Sequence, residues 1–252
     1  RNSLRLRDGI AGDPRAAYRP WHLPEAPGIT LFFRDERLSD LIGFEYATWH
    51  GRDAAQHFIS QVESIHAREP QALITVFLDG ENAWEYYPYN AWHFFSDLYG
   101  ALESHKKIST VTLSAAATAH HGRRKRLPRL VAGSWVFGTL STWLGNADKN
   151  HAWDLLCEVK QCADRALLGD RLDEQERAAV LRRLAVCESS DWFWWLGDYN
   201  SPQSVACFDS LFRENLKSLY RLLRLPIPGS LDHPISRGGG TPESGGTMRR
   251  AS

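Results

Sequence analysis

Three carboxylates, Asp79, Glu81 and Glu85, lie close together in the stretch TVFLDGENAWEYYP (75–88), interleaved with Trp84, Tyr86 and Tyr87. Asp79 and Glu81 are separated by one residue, so both side chains can face one cleft from a strand end. Cleaving or transferring a glycosidic bond needs a proton donor for the leaving oxygen and a second carboxylate at the oxocarbenium-like carbon. This loop offers candidates for both roles, with indole and phenol faces beside them. The same acidic residues also suit the cap of a following helix, where they would complement its dipole.

A second constellation is the aromatic insert SSDWFWWLGDYNS (189–201), in which Trp192, Phe193, Trp194 and Trp195 are consecutive. Neither a helix face nor a strand face buries four such neighbours at once, so some must meet a cleft or an interface. Asp191 and Asp198 flank this wall as anchors for hydroxyl groups; an aromatic plug between domains is the competing reading. In FFRDERLSDLIGFEY (32–46), Arg34, Asp35 and Asp40 stand at a strand end, either as an ion pair supporting a neighbouring loop or as direct ligands of substrate. The basic run HHGRRKRLPR (120–129) reads as a solvated connection rather than a nucleic-acid site, because no other part of the chain is markedly basic. His120 and His121 lack a third ligand, so no metal is expected.

The elements that must position these groups follow from periodicity. The continuous apolar run ALITVFL (72–78) predicts a strand buried on both faces, as in a parallel sheet, with Asp79 at its C-terminal end. Apolar residues recur at helical spacing before it (Ala54, Ala55, Phe58, Val62, Ile65) and after it (Trp92, Phe95, Leu98, Tyr99, Leu102). GITLFF (28–33) and ISTVTLS (108–114) are the further expected strands, which together suggest βα units. From about residue 127 only helical periodicities remain. Residues 150–168 carry Trp153, Leu156, Val159, Ala163 and Leu167; Asp173 with Glu176 forms a capping box; and Ser201-Pro202 opens a helix with Val205, Phe208, Phe212, Leu216, Leu219 and Leu223 on one face. The expected organisation is therefore an α/β part over 1–126, a helical domain over 127–235 holding the aromatic insert, and a disordered tail over 236–252.

Composition narrows the functional classes. Thirty basic residues balance 30 acidic ones, which argues against nucleic acid or an anionic membrane as partner, and no apolar run is long enough to span a bilayer. Ten tryptophans among the 252 residues supply many platforms for the C–H faces of sugars as well as core material. The four cysteines (157, 162, 187 and 207) have no CxxC spacing and read as free thiols.

Four ordered blocks, FFRDERLSDLIGF, LDGENAWEYYP, GSWVFGTLSTWLGNADKNHAW and SSDWFWWLGD, resemble the later half of glycoside hydrolase family 57, the amylase and amylopullulanase-like group, and the similarity continues to about residue 235. The resemblance implies the later part of an incomplete (β/α)7 barrel followed by a C-terminal helical bundle. It implies a retaining α-glucan hydrolase or glucanotransferase that needs no cofactor. It places the acid/base catalyst on Asp79 with Glu81 supporting, substrate contacts on Asp191, Trp194 and Trp84, and structural support on Arg34 and Asp35. The implied partner is an α-glucan or malto-oligosaccharide. The family's nucleophile glutamate and early histidine motif belong to blocks upstream of AYRPWHLPEAPG (17–28), so the missing N-terminal half of the same enzyme is an expected partner, in a cytoplasmic setting. The alternative is a non-catalytic glycan-binding or regulatory relic. One departure is visible: Tyr199 and Asn200 follow Gly197-Asp198 where the family has an acidic residue and a histidine.

Overall fold

The computed structural model describes residues 2–5, 14–80 and 83–240. It divides into two compact units, with the boundary between Gly138 and Thr139 rather than near residue 126.

In the first unit, β1 (Trp21–Leu23) and β2 (Ala26–Leu31) form an antiparallel hairpin, and β3 (Lys125–Arg126) adds to β1 in parallel, in the order β2-β1-β3. The expected strand at 28–33 thus exists, but in a hairpin rather than a βα unit. Trp21 anchors the sheet, fully buried against Ala16 and Leu127 and donating its indole N–H to the Ala16 carbonyl at 2.9 Å. A helical layer follows: α1 (Glu36–Asp40), continuing through a π turn at Leu41–Glu45, then α2 (Gly51–Arg68), α3 (Trp92–Ser104) and α4 (Leu113–Ala119). The predicted stripe of α2 (Ala54, Ala55, Phe58, Val62 and Ile65) is buried against Phe94 and Leu98 of α3. Gly51 permits this approach, because a Cβ there would meet the Phe94 backbone nitrogen at 3.0 Å.

Three expectations for this unit are corrected. Residues 72–78 are not a strand buried on both faces. Among the described residues their backbone bonds run to one side only, from Leu73 N–H to the Tyr18 carbonyl (3.0 Å) and from Asp35 N–H to the Thr75 carbonyl (2.7 Å), while Ala72, Ile74 and Val76 pack on the helical layer. Phe77 and Leu78 are exposed, since no described segment covers that end. Residues 108–114 form no strand either; Thr112 instead caps α4 by accepting from the Ala115 N–H, a local bond that competes with sheet pairing. On α3 the buried face is Phe94 and Leu98, whereas Trp92 (70% exposed) and Tyr99 (56%) point outward.

The second unit is helical: α5 (Ala147–Leu168), α6 (Glu174–Cys187), the short α7 (Asp191–Trp195) and α8 (Pro202–Leu222). Both bonds of the Asp173/Glu176 capping box are made, and Ser201 caps α8 by accepting from Ser204 N–H. Their apolar stripes meet in one core that includes Leu156, Val159, Val180, Phe212 and Leu216. Residues 236–240, assigned to a disordered tail by composition, are packed in this unit: Ser236 is buried and accepts from Gly197 N–H, and Gly239 and Gly240 donate to the Asn200 carbonyl. The rest of the expected tail, 241–252, lies outside the described residues.

All four cysteines are free; Cys157 and Cys207 are exposed and Cys187 is buried. Burial pushes the Cys187 thiol from 9.0 up to about 11, against the opposing pull of Arg183. Because the folded-state value is raised, this contribution to stability is complete below pH 9 and is lost as pH rises toward 11. Cys157 and Cys207 should react promptly with a thiol reagent at pH 8 and Cys187 only on unfolding. Between pH 9 and 11 the free energy of urea unfolding should decline less steeply in Cys187→Ala, by up to about 1.4 kcal/mol per pH unit.

Candidate active site

Asp79 is placed by a clamp two to four residues upstream. The Asp35 carboxylate accepts the Leu38 N–H at 2.8 Å, capping α1, and the Tyr18 hydroxyl at 2.6 Å. Its backbone N–H holds the Thr75 carbonyl, and Ser39 Oγ, which donates to the Asp35 carbonyl at 2.7 Å, accepts the Phe77 N–H at 3.3 Å. Burial first, and then the hydrogen bond to Asp35, raise the Tyr18 hydroxyl well above its ordinary pKa, so it remains a donor. Asp79 then projects into an exposed turn with Gly80. Glu81 lies outside the described residues, and Glu85 is exposed.

Trp84 closes the turn: it is half-buried between Tyr87 and Phe95 and donates its indole N–H to the Gly80 carbonyl at 3.2 Å. Beyond it the backbone is left-handed at Ala83 (φ 72°) and at the consecutive Tyr89, Asn90 and Ala91 (φ 53°, 50° and 63°). Such residues cost about 1–3 kcal/mol each and persist only where packing over-determines them. Here buried Tyr87, donating to the Ile42 carbonyl, and buried Ala91 do so, leaving Tyr89 (78% exposed) and Trp92 in solvent.

Arg34 pairs with Asp40 at 2.5 Å and lies over the Trp135 ring at 5.9 Å. A cleft of about 560 Å³ lies elsewhere in this unit, lined by residues including Glu36, Asp40, Glu45, Trp49 and His57; none of its lining comes from the Asp79 turn. Within the basic run Arg124 has structural contacts: it reaches the Pro27 carbonyl (2.8 Å) and Thr30 (3.2 Å), and His121 meets it at 2.7 Å. Among the described residues no group of three or more His, Cys, Asp or Glu side chains is arranged to hold a metal ion, and no helix is long and apolar enough to cross a membrane.

In the second unit the four consecutive aromatics separate to four partners. Phe193 is fully buried and stacks on Trp153 at 3.8 Å; Trp195 stacks on Phe208 at 4.5 Å; Trp192 packs on Phe212 and donates to the Val186 carbonyl at 2.7 Å. Trp194 is half-buried and tilted against Trp143, centroids 5.9 Å apart. Asp191 is exposed and accepts from the Ser189 hydroxyl at 3.1 Å. The insert is held by residues that the sequence reading did not select. Buried Lys149 donates to the Thr142 carbonyl and to the Tyr199 hydroxyl (2.7 Å); Tyr199 donates to the Trp194 carbonyl (2.6 Å), and Asn200 to the carbonyls of Trp194 (3.0 Å) and Trp195 (2.8 Å). A signal for Lys149 was present, since the buried stripe Ala152, Leu156, Val159 and Ala163, continued back by three residues, falls on it.

The model of glycosyl hydrolase family 57 matches residues 7–128. The match covers a little less than half of the 252 residues. The matched segment contains Arg34, Asp35, Asp79 and Trp84, and ends before Lys149, Asp191 and Trp194. Two solved family 57 structures share the fold. One is a branching enzyme from the hyperthermophilic archaeon Pyrococcus horikoshii, with a TM-score of 0.57 and 18% identity over 91% of this chain and 54% of its own. The other is a branching enzyme from Thermococcus kodakaraensis, in complex with glucose, with a TM-score of 0.61 and 14% identity over 82% of this chain and 46% of its own. The chain thus spans about half the length of the family 57 structures it resembles. No curated protein matches it.

The Asp35 clamp has a measurable value. Asp35→Ala removes a helix cap, about 0.5–2 kcal/mol, and leaves the Tyr18 hydroxyl without its acceptor, about 1–3 kcal/mol. Urea unfolding should show a loss of about 2–4 kcal/mol for Asp35→Ala and less than half of that for Asp35→Asn, which keeps an acceptor at the cap.

Proposed function

We propose that this chain carries the acid/base part of a retaining, α-glucan-active family 57 enzyme, either a hydrolase or a glucanotransferase of the branching kind. The observation that carries the proposal is the location of Asp79: at the end of a segment clamped by Asp35 and Ser39, inside the stretch that matches the family. In this reading the first unit is the later part of an incomplete (β/α)7 barrel and the second its helical companion. The side of residues 72–78 that has no ladder partner among the described residues, with exposed Phe77 and Leu78, is then where the rest of the barrel packs.

The Asp79 carboxyl protonates the glycosidic oxygen as the C–O bond breaks, and a glutamate outside these residues takes the sugar as a covalent ester. Asp79, now a carboxylate, then removes a proton from water or from an acceptor hydroxyl, whose oxygen displaces the ester. Glu81 supports this proton and Trp84 contacts a sugar ring; within the second unit, Trp194 and Asp191 are offered as glucan contacts of their own. A proton donor at neutral pH needs its carboxyl value raised by dry surroundings or a nearby negative charge. Asp79 is exposed in the described residues, so the proposal requires the remaining polypeptide to cover it.

The test is Asp79→Asn in the longest natural form of the protein, assayed on amylose and malto-oligosaccharides. Turnover should fall by about 10²–10⁴-fold with glucan binding retained; undiminished turnover would overturn the assignment. Reducing ends accumulating with time would mark hydrolysis, whereas new branch points at a constant number of reducing ends would mark transfer.

A further inference from the structure

Lys149 is a buried charge that the proposed chemistry leaves unexplained. It is 1% exposed, on the first turn of α5, in a position that periodicity would give to an apolar residue. Burying an ammonium group carries a penalty of several kcal/mol unless its protons are well placed. Here one goes to the Thr142 carbonyl, in the peptide group that leads directly into Trp143. Another goes to the Tyr199 hydroxyl, and the ammonium sits 4.6 Å from the centroid of the same ring. Tyr199 passes the constraint on to the Trp194 carbonyl at the end of α7, one of the carbonyls that a helix C-terminus leaves without an intrahelical partner. The neighbouring backbone is adapted to this contact: Gly197 has φ +131°, and a Cβ there would meet Tyr199 at 3.0 Å and the Lys149 Cε at 3.2 Å.

We propose that Lys149 is a positioning residue that fixes Trp143 and Trp194 together as a two-indole platform for one ring of an α-glucan. One ammonium thereby locates both indoles, through the Thr142 carbonyl on one side and through Tyr199 on the other. Trp143 is tied a second time, by Trp153 Nε1 donating to its carbonyl at 3.0 Å. The two rings are half-buried and tilted by 48° rather than stacked face to face, and an indole face left uncovered suits a sugar's C–H surface. The inference rests on the proposed glucan activity and adds Trp143, Lys149 and Tyr199 to it.

The test uses the longest natural form of the protein carrying Asp79→Asn, so that maltoheptaose binding is measured by calorimetry without turnover. Lys149→Met keeps the length of the side chain and removes its donors; Tyr199→Phe removes only the relay hydroxyl; Trp143→Ala removes one ring. Each should weaken binding about 5–10-fold. Lys149→Met combined with Trp143→Ala should weaken it by less than the product of the two separate factors, because part of the effect of the lysine runs through that ring. In the active enzyme the same factor should appear in kcat/KM, mainly through KM. Should Lys149→Met fail to fold, Tyr199→Phe carries the test. Unchanged affinity in a folded Lys149→Met or Tyr199→Phe protein, or additive losses in the double variant, would overturn the proposal while leaving the Asp79 assignment intact. An Asp79→Asn enzyme with full turnover would overturn that assignment instead, and absence of any maltoheptaose binding would overturn both.

Discussion

Asp35 is the constraint on which the first unit depends. Its carboxylate and backbone are bonded at once to Leu38, Tyr18 and Thr75, so one residue joins the start of α1, the segment before β1 and the segment that leads to Asp79. Charge-assisted bonds of this kind are stronger than neutral ones and fix direction as well as distance. Ser39, one helical turn later, repeats the arrangement by accepting the Phe77 N–H. The direction of residues 75–77 is thus set by the N-terminal turn of a five-residue helix rather than by a full strand ladder. Asp79 therefore has a defined root and an open environment.

The second unit holds its aromatic wall by a different means. Three of the four consecutive rings are placed by ring contacts along the bundle, but Trp194 owes its place to hydrogen bonds on its carbonyl from Tyr199 and Asn200. These two positions follow Gly197-Asp198, where the resemblance drawn from the sequence leads one to expect an acidic residue and a histidine. Tyr199 accepts from the Lys149 ammonium and donates onward to the Trp194 carbonyl, so the geometry of the insert is supported by a hydrogen-bonded relay.

What was legible in the sequence follows the same physics. The helices of the second unit could be read closely, down to both bonds of the Asp173/Glu176 box, because amphipathic periodicity and caps are local signals. The resemblance to glycosyl hydrolase family 57 was legible because short blocks in fixed order are recognisable without high overall identity, and the family model matches residues 7–128, which hold two of the four blocks. The run 72–78 was misread because a continuous apolar strand is recognised by burial on both faces, and burial depends on neighbours that a local window does not contain. Trp92 and Tyr99 were misassigned for a related reason: the left-handed residues 89–91 rotate the start of α3, so that Phe94 and Leu98 face the core. Lys149 was passed over because a lysine at a core position violates the pattern used to find cores, and the violation itself marks the site.

For Asp79, the open side of residues 72–78 and the chemistry are one question. A catalytic proton donor must sit where its ionised form is disfavoured, and water around an exposed carboxylate favours ionisation. The backbone of Ile74 and Val76 has no ladder partner among the described residues, and the adjoining side chains Phe77 and Leu78 remain in solvent. A strand laid along that edge would satisfy the backbone groups, bury the two side chains and remove solvent from the turn that follows. Under the proposed function, completing the sheet and drying the surroundings of Asp79 are thus consequences of the same packing event.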